Sequence, residues 1–489
     1  MPKLNPKHSL GQLGEPYSLP CSPTRVSAPQ WLAFNPELAA QLQIPEALWG
    51  TDSGLGLFSG NQLPDWAKPV AHAYAGHQFG NFVPQLGDGR ALLLAELEDV
   101  NGQLFDLQLK GAGQTPFSRR GDGRAPLGPV LREYLVSEAM HALGVPTTRA
   151  LAAVLSGDWV QREKAEPGAI ITRVAKSHIR IGSFQYLAAR GDTEKLKTFA
   201  DYVIARHYPA CTASDSPYLA LLEAVVAAQA VLIARWMSLG FIHGVMNTDN
   251  MSIAGETIDY GPCAFMDSFN PAQVYSFIDT QGRYAWGNQS KIGSWNLARF
   301  AETLLPLISE NAEQAVELAT KALQQFNLLN ETEFRRLIGT KLGIAEPVAD
   351  DEPLIRDYLT LMVKNSADFT LAFRLLSQSV TDSSAGAAGL FADNNGWQEW
   401  AIRWHKRLSE QGKSTADIAL QMNKVNPALI PRNHQIAKAL EHAANDGDLS
   451  LFNRLHKALR TPFELSAENA DLAQPPTAEQ CISNTFCGT

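Results

Sequence analysis

Cysteine is scarce in this chain, with five in 489 residues: Cys21, Cys211, Cys263, Cys481 and Cys487. An odd, scattered set with no Cys-x-x-Cys pair argues against a disulfide framework and against a structural zinc site. It makes a reducing compartment, the cytoplasm, the expected setting. Basic charge is also short: 41 Lys and Arg stand against 50 Asp and Glu, for a net charge of -9. A broad face for nucleic acid is therefore not expected. No long apolar run goes uninterrupted. The most apolar stretch, residues 224–241, contains Gln229 and Arg235, so it is expected to be a buried helix and no membrane partner is expected. The opening Met-Pro-Lys-Leu-Asn-Pro-Lys leads into no apolar run, and no secretion signal is expected. A G-x-G-x-x-G phosphate loop, a long-period repeat and low-complexity tracts are all missing.

What is present is a folded chain. Hydrophobic residues make up 45% and charged residues 19%, an ordinary globular balance. Residues 1–65 are rich in Pro, Gly and Ser and predict an irregular extension. Residues 85–99 predict a hairpin around Gly87-Asp88-Gly89. In residues 103–110, Leu104, Asp106, Gln108 and Lys110 alternate with Phe105, Leu107 and Leu109, the pattern of a half-buried strand. A Gly-rich loop follows over 111–128, then a helix from Pro129 to about Leu143, closed by Gly144 and Pro146. Residues 150–156 and 169–174 predict two further strands. Helical patterns then dominate, over 193–207, 220–239, 294–309, 311–326, 331–342, 353–364 and 395–411. From about Pro462 the tail is polar and predicted extended. The expected class is α+β, with the gross plan of a two-lobed protein kinase: an extension (1–65), a β-rich N-lobe (66–182), a helical C-lobe (183–461) and a tail (462–489).

The chemistry concentrates in one order of motifs. Phe241-Ile-His-Gly-Val-Met-Asn-Thr-Asp-Asn250 is followed by Thr257-Ile-Asp-Tyr-Gly-Pro262. In kinases the catalytic loop reads H-R-D-L-x-x-x-N and the metal-binding turn D-F-G. His243 then takes the His position, Asn250 the metal-binding Asn, and Asp259 the turn Asp, so that Asn250 and Asp259 are candidate ligands for Mg²⁺ or Mn²⁺. The plain alternative is an Asx-rich turn between a helix and a hairpin. The kinase base position holds Val245, which cannot accept a proton, and the nearest carboxylate is Asp249, either a base or a loop cap. Upstream, Lys110 at a strand end and Glu133 on the next helix match the pair that holds a Lys against nucleotide phosphates. Gly87, Gly89 and Arg90 stand at the first turn, and Asp122 and Gly123 form another flexible turn. Arg173 and Arg180 add cations suited to phosphate. The string Gly-Asp-Gly-Arg-Ala occurs at 87–91 and again at 121–125.

At these residues the sequence resembles the selenoprotein O family of pseudokinase-fold protein adenylyltransferases. The matching stretches include Tyr74-Ala-Gly-His-Gln-Phe-Gly80, Gln85-Leu-Gly-Asp-Gly-Arg90, Asp106-Leu-Gln-Leu-Lys-Gly-Ala-Gly113, Arg132-Glu133, Pro146-Thr-Thr-Arg149 and Thr172-Arg-Val-Ala175. His243 to Asn250, Asp259-Tyr-Gly-Pro262, Gln281-Gly-Arg-Tyr284 and Trp295-Asn-Leu-Ala-Arg299 extend it over nearly the whole chain. The resemblance implies that ATP binds flipped relative to a kinase, and that AMP passes to Ser, Thr or Tyr hydroxyls of proteins, the enzyme itself among them, releasing pyrophosphate. It implies nucleotide contacts at Gly87, Gly89, Arg90, Lys110, Asp122, Gly123, Arg173, Arg180 and Asp259, metal ligation by Asn250 and Asp259, and Asp249 as base, with Glu133 pairing Lys110. A divergent kinase or a non-catalytic nucleotide-binding module remain the alternatives. Some family members carry selenocysteine near the C-terminus, where this chain has Cys487. The family's link to redox homeostasis raises two expectations: a disulfide from Cys263 to Cys481 or Cys487, or inert thiols.

Overall fold

The computed structural model describes residues 4–392 and 394–485, so Cys487 lies outside the described residues. The strands are, in chain order, β1 (Ser18–Pro20), β2 (Gln30–Phe34), β3 (Val70–His72), β4 (Gly76–Gln78), β5 (Asn81–Val83), β6 (Ala91–Glu98), β7 (Leu104–Lys110), β8 (Ala125–Pro126), β9 (Arg149–Gln161), β10 (Ala165–Ala175), β11 (Phe241–Ile242) and β12 (Ala264–Phe265). Among the described residues eight of them form one antiparallel sheet, in the order β1-β3-β6-β7-β10-β9-β2 with β8 beside β10. Two small pairs, β4 with β5 and β11 with β12, stand apart from it. Helices make up most of the chain after β10. The architecture is mixed α/β.

Several local expectations change on folding. The turn at Gly87-Asp88-Gly89 does not close a hairpin. It lies against β3, where the Asp88 amide donates to the His72 carbonyl at 2.9 Å. The hairpin that forms is β6 with β7, closed by Asp99, whose carboxylate accepts from the amides of Asn101 and Gln103, each at 2.9 Å. Nor is β7 half-buried. Its polar residues Asp106 and Gln108 are as buried as Leu107 and Leu109. Asp106 is compensated by Arg206 at 2.5 Å, from the helix Thr193–His207, and by the His178 amide at 2.8 Å. Buried charge survives where such partners exist.

The segment before residue 65 contributes more than a wrapping. β1 joins one end of the sheet and β2 the other, and Leu38, Leu57 and Phe58 belong to the main core. The two helices expected over 311–326 and 331–342 are one, Ala312–Lys341. Asn330, between the two expected spans, is buried inside it and ties neighbouring helices together through the Ala230 carbonyl and the Ser290 hydroxyl, both at 2.8 Å. The tail also departs from a plain extended strand. It buries Leu472 and Ala473, and Thr485 pairs with Ser276 as an isolated bridge. The helix Pro217–Ser238 is long and apolar enough to cross a membrane, and half of its most apolar window is buried within the protein. Cys21, Cys211, Cys263 and Cys481 form no disulfide with one another among the described residues.

The sheet and the helices share one continuous core, from Leu92 and Leu94 of β6 to Phe184, Phe300 and Phe326. The helix Leu127–Ala142 packs on β9 and β10 and is covered from outside by Asn433–Asp446 and Ser450–Leu459. That sandwich explains why Arg132, Glu133 and Glu138 are all buried on one helix. Glu133 is thereby carried toward β7 and β10.

Candidate active site

A cavity of about 570 Å³ opens between the ends of β7 and β10 and the loop after β11. Gly87, Gly89, Arg90, Lys110, Asp122, Gly123, Arg173, Arg180, Asp249, Asn250 and Asp259 all line it. Glu133 lies just behind, beside Lys110 in an adjoining small space. Residues spread over about a third of the chain's length, from Gly87 to Asp259, are therefore brought to one surface. Both Gly-Asp-Gly-Arg copies face this cavity. Their aspartates are held differently: Asp88 accepts from Gln108 Nε2 at 3.1 Å with Arg180 3.7 Å away, and Asp122 takes both ends of Arg162 at 2.9 and 3.1 Å.

One side of the cavity is a chain of alternating charges. Lys110 Nζ donates to Glu133 Oε2 at 2.7 Å. Glu133 Oε1 accepts from Arg173 Nε. Arg173 Nη2 donates to Asp259 Oδ1 at 2.7 Å, and Arg180 Nη1 to Asp259 Oδ2, also at 2.7 Å. Arg180 Nη1 also reaches the Asp249 carbonyl at 2.7 Å, and its guanidinium covers the Tyr74 ring at 4.5 Å. Burial alone would raise the carboxyl groups, but the cations win. Arg173 and Lys110 hold Glu133 down to about 2, and Arg180, Arg173 and Lys110 hold Asp259 well below the ordinary range. Burial and the neighbouring Arg173 lower Lys110, against the pull of Glu133 and Asp259.

Asp259 sits at φ +60° in a tight turn, its carbonyl accepting from the Gly261 amide at 2.8 Å. A non-glycine residue there is strained, a feature that clusters at functional sites. His243 supports the turn from behind. It is buried, and its Nε2 pairs with the Ile258 carbonyl at 2.9 Å. Gly123 is required by its surroundings: at φ +66°, a side chain would meet the Gly113 carbonyl at 2.0 Å.

The other side is nearly uncharged. Asp249 is 6% exposed and takes one side-chain donor, Gln78 Nε2, at 3.0 Å on Oδ2. Its Oδ1 is buried with no hydrogen-bond partner among the described residues. Burial raises its carboxyl to about 6, with Gln78 and Arg180 opposing. Val245 lines the cavity close by, and its carbonyl accepts from Asn250 Nδ2 at 3.0 Å. That bond commits the amide nitrogen and leaves the Asn250 oxygen as the atom able to ligate. The Asp259 carboxylate retains acceptor capacity beyond its two arginines. One amide oxygen and one carboxylate fit a small hard cation whose remaining ligands are phosphate and water. Gln78, Tyr74, Asp88 and Arg162 also line the cavity, with Gln108 buried behind Asp88 and donating to it at 3.1 Å, and the sequence patterns did not assign them. Tyr74 and Gln78 lie in a stretch singled out for resemblance alone. Arg162 lies in a charged hairpin with no signal of its own.

A cavity that gathers cations and two differently tuned carboxylates is the equipment of an enzyme acting on phosphate esters. The family model described as "Protein adenylyltransferase SelO" matches residues 1–460, and the chain belongs to that family. Among its relatives, a protein nucleotidyltransferase YdiU of Bradyrhizobium diazoefficiens is 52% identical over 484 residues, covering 99% of each chain. Those of Agrobacterium fabrum (52% over 482 residues, 99% of each) and Rhodopseudomonas palustris (53% over 470 residues, 96% of each) are similar throughout.

Proposed function

We propose that this protein is an adenylyltransferase that moves AMP from ATP to Ser, Thr or Tyr hydroxyls of proteins, itself included, and releases pyrophosphate. The observation that carries this reading is the pairing, in one cavity, of a fixed cationic wall with Asp249 and with Val245 at the kinase base position. Family membership points the same way. In this reading residues 66–182 act as a kinase-like N-lobe and 183–461 as the helical C-lobe, with 1–65 and 462–489 as extensions, and the enzyme works in the cytoplasm. Neither nucleic acid nor membrane is a partner.

Lys110, Arg90, Arg173 and Arg180 bind the phosphates, with Gly87, Gly89, Asp122 and Gly123 shaping the walls around the nucleotide. Glu133 orients Lys110 and Arg173. Asn250 and Asp259 are the ligands for Mg²⁺ or Mn²⁺, a cation that would neutralise phosphate charge. Asp249 accepts the hydroxyl proton at Oδ2, since Oδ1 is buried against Gly76 and out of reach of a substrate. The acceptor oxygen then bonds to the α-phosphorus as the α–β bridging bond breaks, and the electron pair leaves on pyrophosphate. Preorganised cations cost no reorganisation at that moment.

The test is incubation with metal and ATP labelled at the α- or the γ-phosphate. α-label is expected to enter protein, γ-label to stay out, and the added mass to equal one AMP. Entry of γ-label alone would make the protein a divergent kinase. Entry of neither, across several metals, would favour a nucleotide-binding module.

A further inference from the structure

The stretch Tyr74-Ala-Gly-His-Gln-Phe-Gly80 contains no group that the proposed chemistry uses, yet it lies against the loop that carries Asp249. β4 and β5 form a hairpin in which Gln78 pairs with Asn81 across Phe79 and Gly80. Both turn residues are left-handed, at φ 49° and 88°, the geometry of a type I′ turn. Phe79 is a poor residue for that conformation. It is held by its amide, which donates to Asn247 Oδ1 at 3.1 Å, and by its ring, 5.2 Å from that of Tyr284.

Three consecutive residues of the hairpin engage three consecutive residues of the loop. The His77 amide donates to Thr248 Oγ1 at 2.7 Å, Gln78 Nε2 to Asp249 Oδ2 at 3.0 Å, and the Phe79 amide to Asn247 Oδ1. The Asp249 carboxylate is thus wedged. A side chain at Gly76 would come within 2.3 Å of Oδ1 and 2.8 Å of Cγ, so Gly76 backs one oxygen while Gln78 holds the other. Arg180 bonds the Asp249 carbonyl and leaves the carboxylate to Gln78.

We infer that this hairpin is the positioning element of Asp249, and that Gln78 is a positioning residue that fixes the rotation of its carboxylate. The inference rests on Asp249 being the base. Gln78 donates one hydrogen bond to Oδ2 and leaves that oxygen a second lone pair for the acceptor hydroxyl. Without it the carboxylate turns about its own axis, and a misplacement of this kind is costly in rate because attack needs aligned atoms.

The experiment is a double-mutant cycle between Gln78→Leu and Asp249→Asn in the full chain. It is read on whichever label of ATP enters protein, so an answer against adenylyl transfer leaves the cycle interpretable. Gln78→Leu is expected to lower kcat ~10–100-fold, with ATP affinity and Tm unchanged, and to cost nothing further in the Asp249→Asn background. Gly76→Ala, which displaces the same carboxylate from its other side, is expected to repeat the pattern and covers the case in which Gln78→Leu misfolds. An unchanged kcat, a parallel loss of ATP affinity, or the full loss recurring on top of Asp249→Asn would overturn the inference.

Discussion

Asp259 and Asp249 line the same cavity, and their surroundings differ in kind. Asp259 is gripped by two guanidiniums with Lys110 3.8 Å away, and its proton affinity collapses. Asp249 is desolvated with one neutral donor on its carboxylate, and its affinity rises to about 6. A carboxylate held by fixed cations stays charged and can ligate a metal cation. One held by an amide can take a proton. Environment tunes one residue type in two opposite directions.

The hardest way to break this comparison is to empty its charged side. Asp259→Ala removes the proposed metal ligand and leaves Arg173 and Arg180 facing each other without their shared carboxylate. Activity is expected to fall to background, with metal-dependent ATP binding weakened. Label transfer and isothermal titration measure both, and wild-type turnover would sink the metal assignment. Asp249→Asn acts on the other side alone. It keeps size and polarity but cannot accept a proton at neutral pH, so a rate loss of ~10²–10⁴-fold is expected with ATP affinity retained. Equal rates in the two proteins would make Asp249 a loop cap.

The comparison also sharpens away from the cavity. Arg173 is a buried cation with two carboxylates, whereas Lys341, 4% exposed, has no carboxylate within salt-bridge distance among the described residues. The rings of Phe373 and Phe369 face its Nζ at 4.7 and 5.9 Å. Burial lowers its folded pKa to about 7, while the unfolded value stays near ~10.4. The unfolded chain therefore binds more protons between those values, and stability rises with pH across that window. Lys341→Met is expected to raise Tm at pH 7 by roughly 1–3 °C and to flatten the slope between pH 7 and 10. A thermal melt series over pH checks both, and an unaltered slope would mean that Lys341 is already solvated.

Much of the site was legible because it is written in local order. Lys110 before Glu133, and His243 before Asn250 and Asp259, follow a spacing that the chemistry demands, and Val245 marks the departure from a kinase. The helix Thr193–His207 was legible to the residue, since its pattern and its Asp192 cap are local. The single helix Ala312–Lys341 was not, because Asn330 becomes acceptable there only when Ala230 and Ser290 arrive to bond it. The polar face of β7 misled for the same reason: alternation reports which residues share a face, and the neighbours decide whether that face meets water.

By itself, then, the sequence determined the family, the order of the candidate phosphate and metal motifs and most of the regular elements, because these rest on residue type and short spacing. The tertiary structure alone decided that both Gly-Asp-Gly-Arg turns face one cavity, that Gln78 holds Asp249, and that two aspartates ten positions apart differ in proton affinity. Those properties come from desolvation and from charges contributed by distant segments, and no window of sequence contains them.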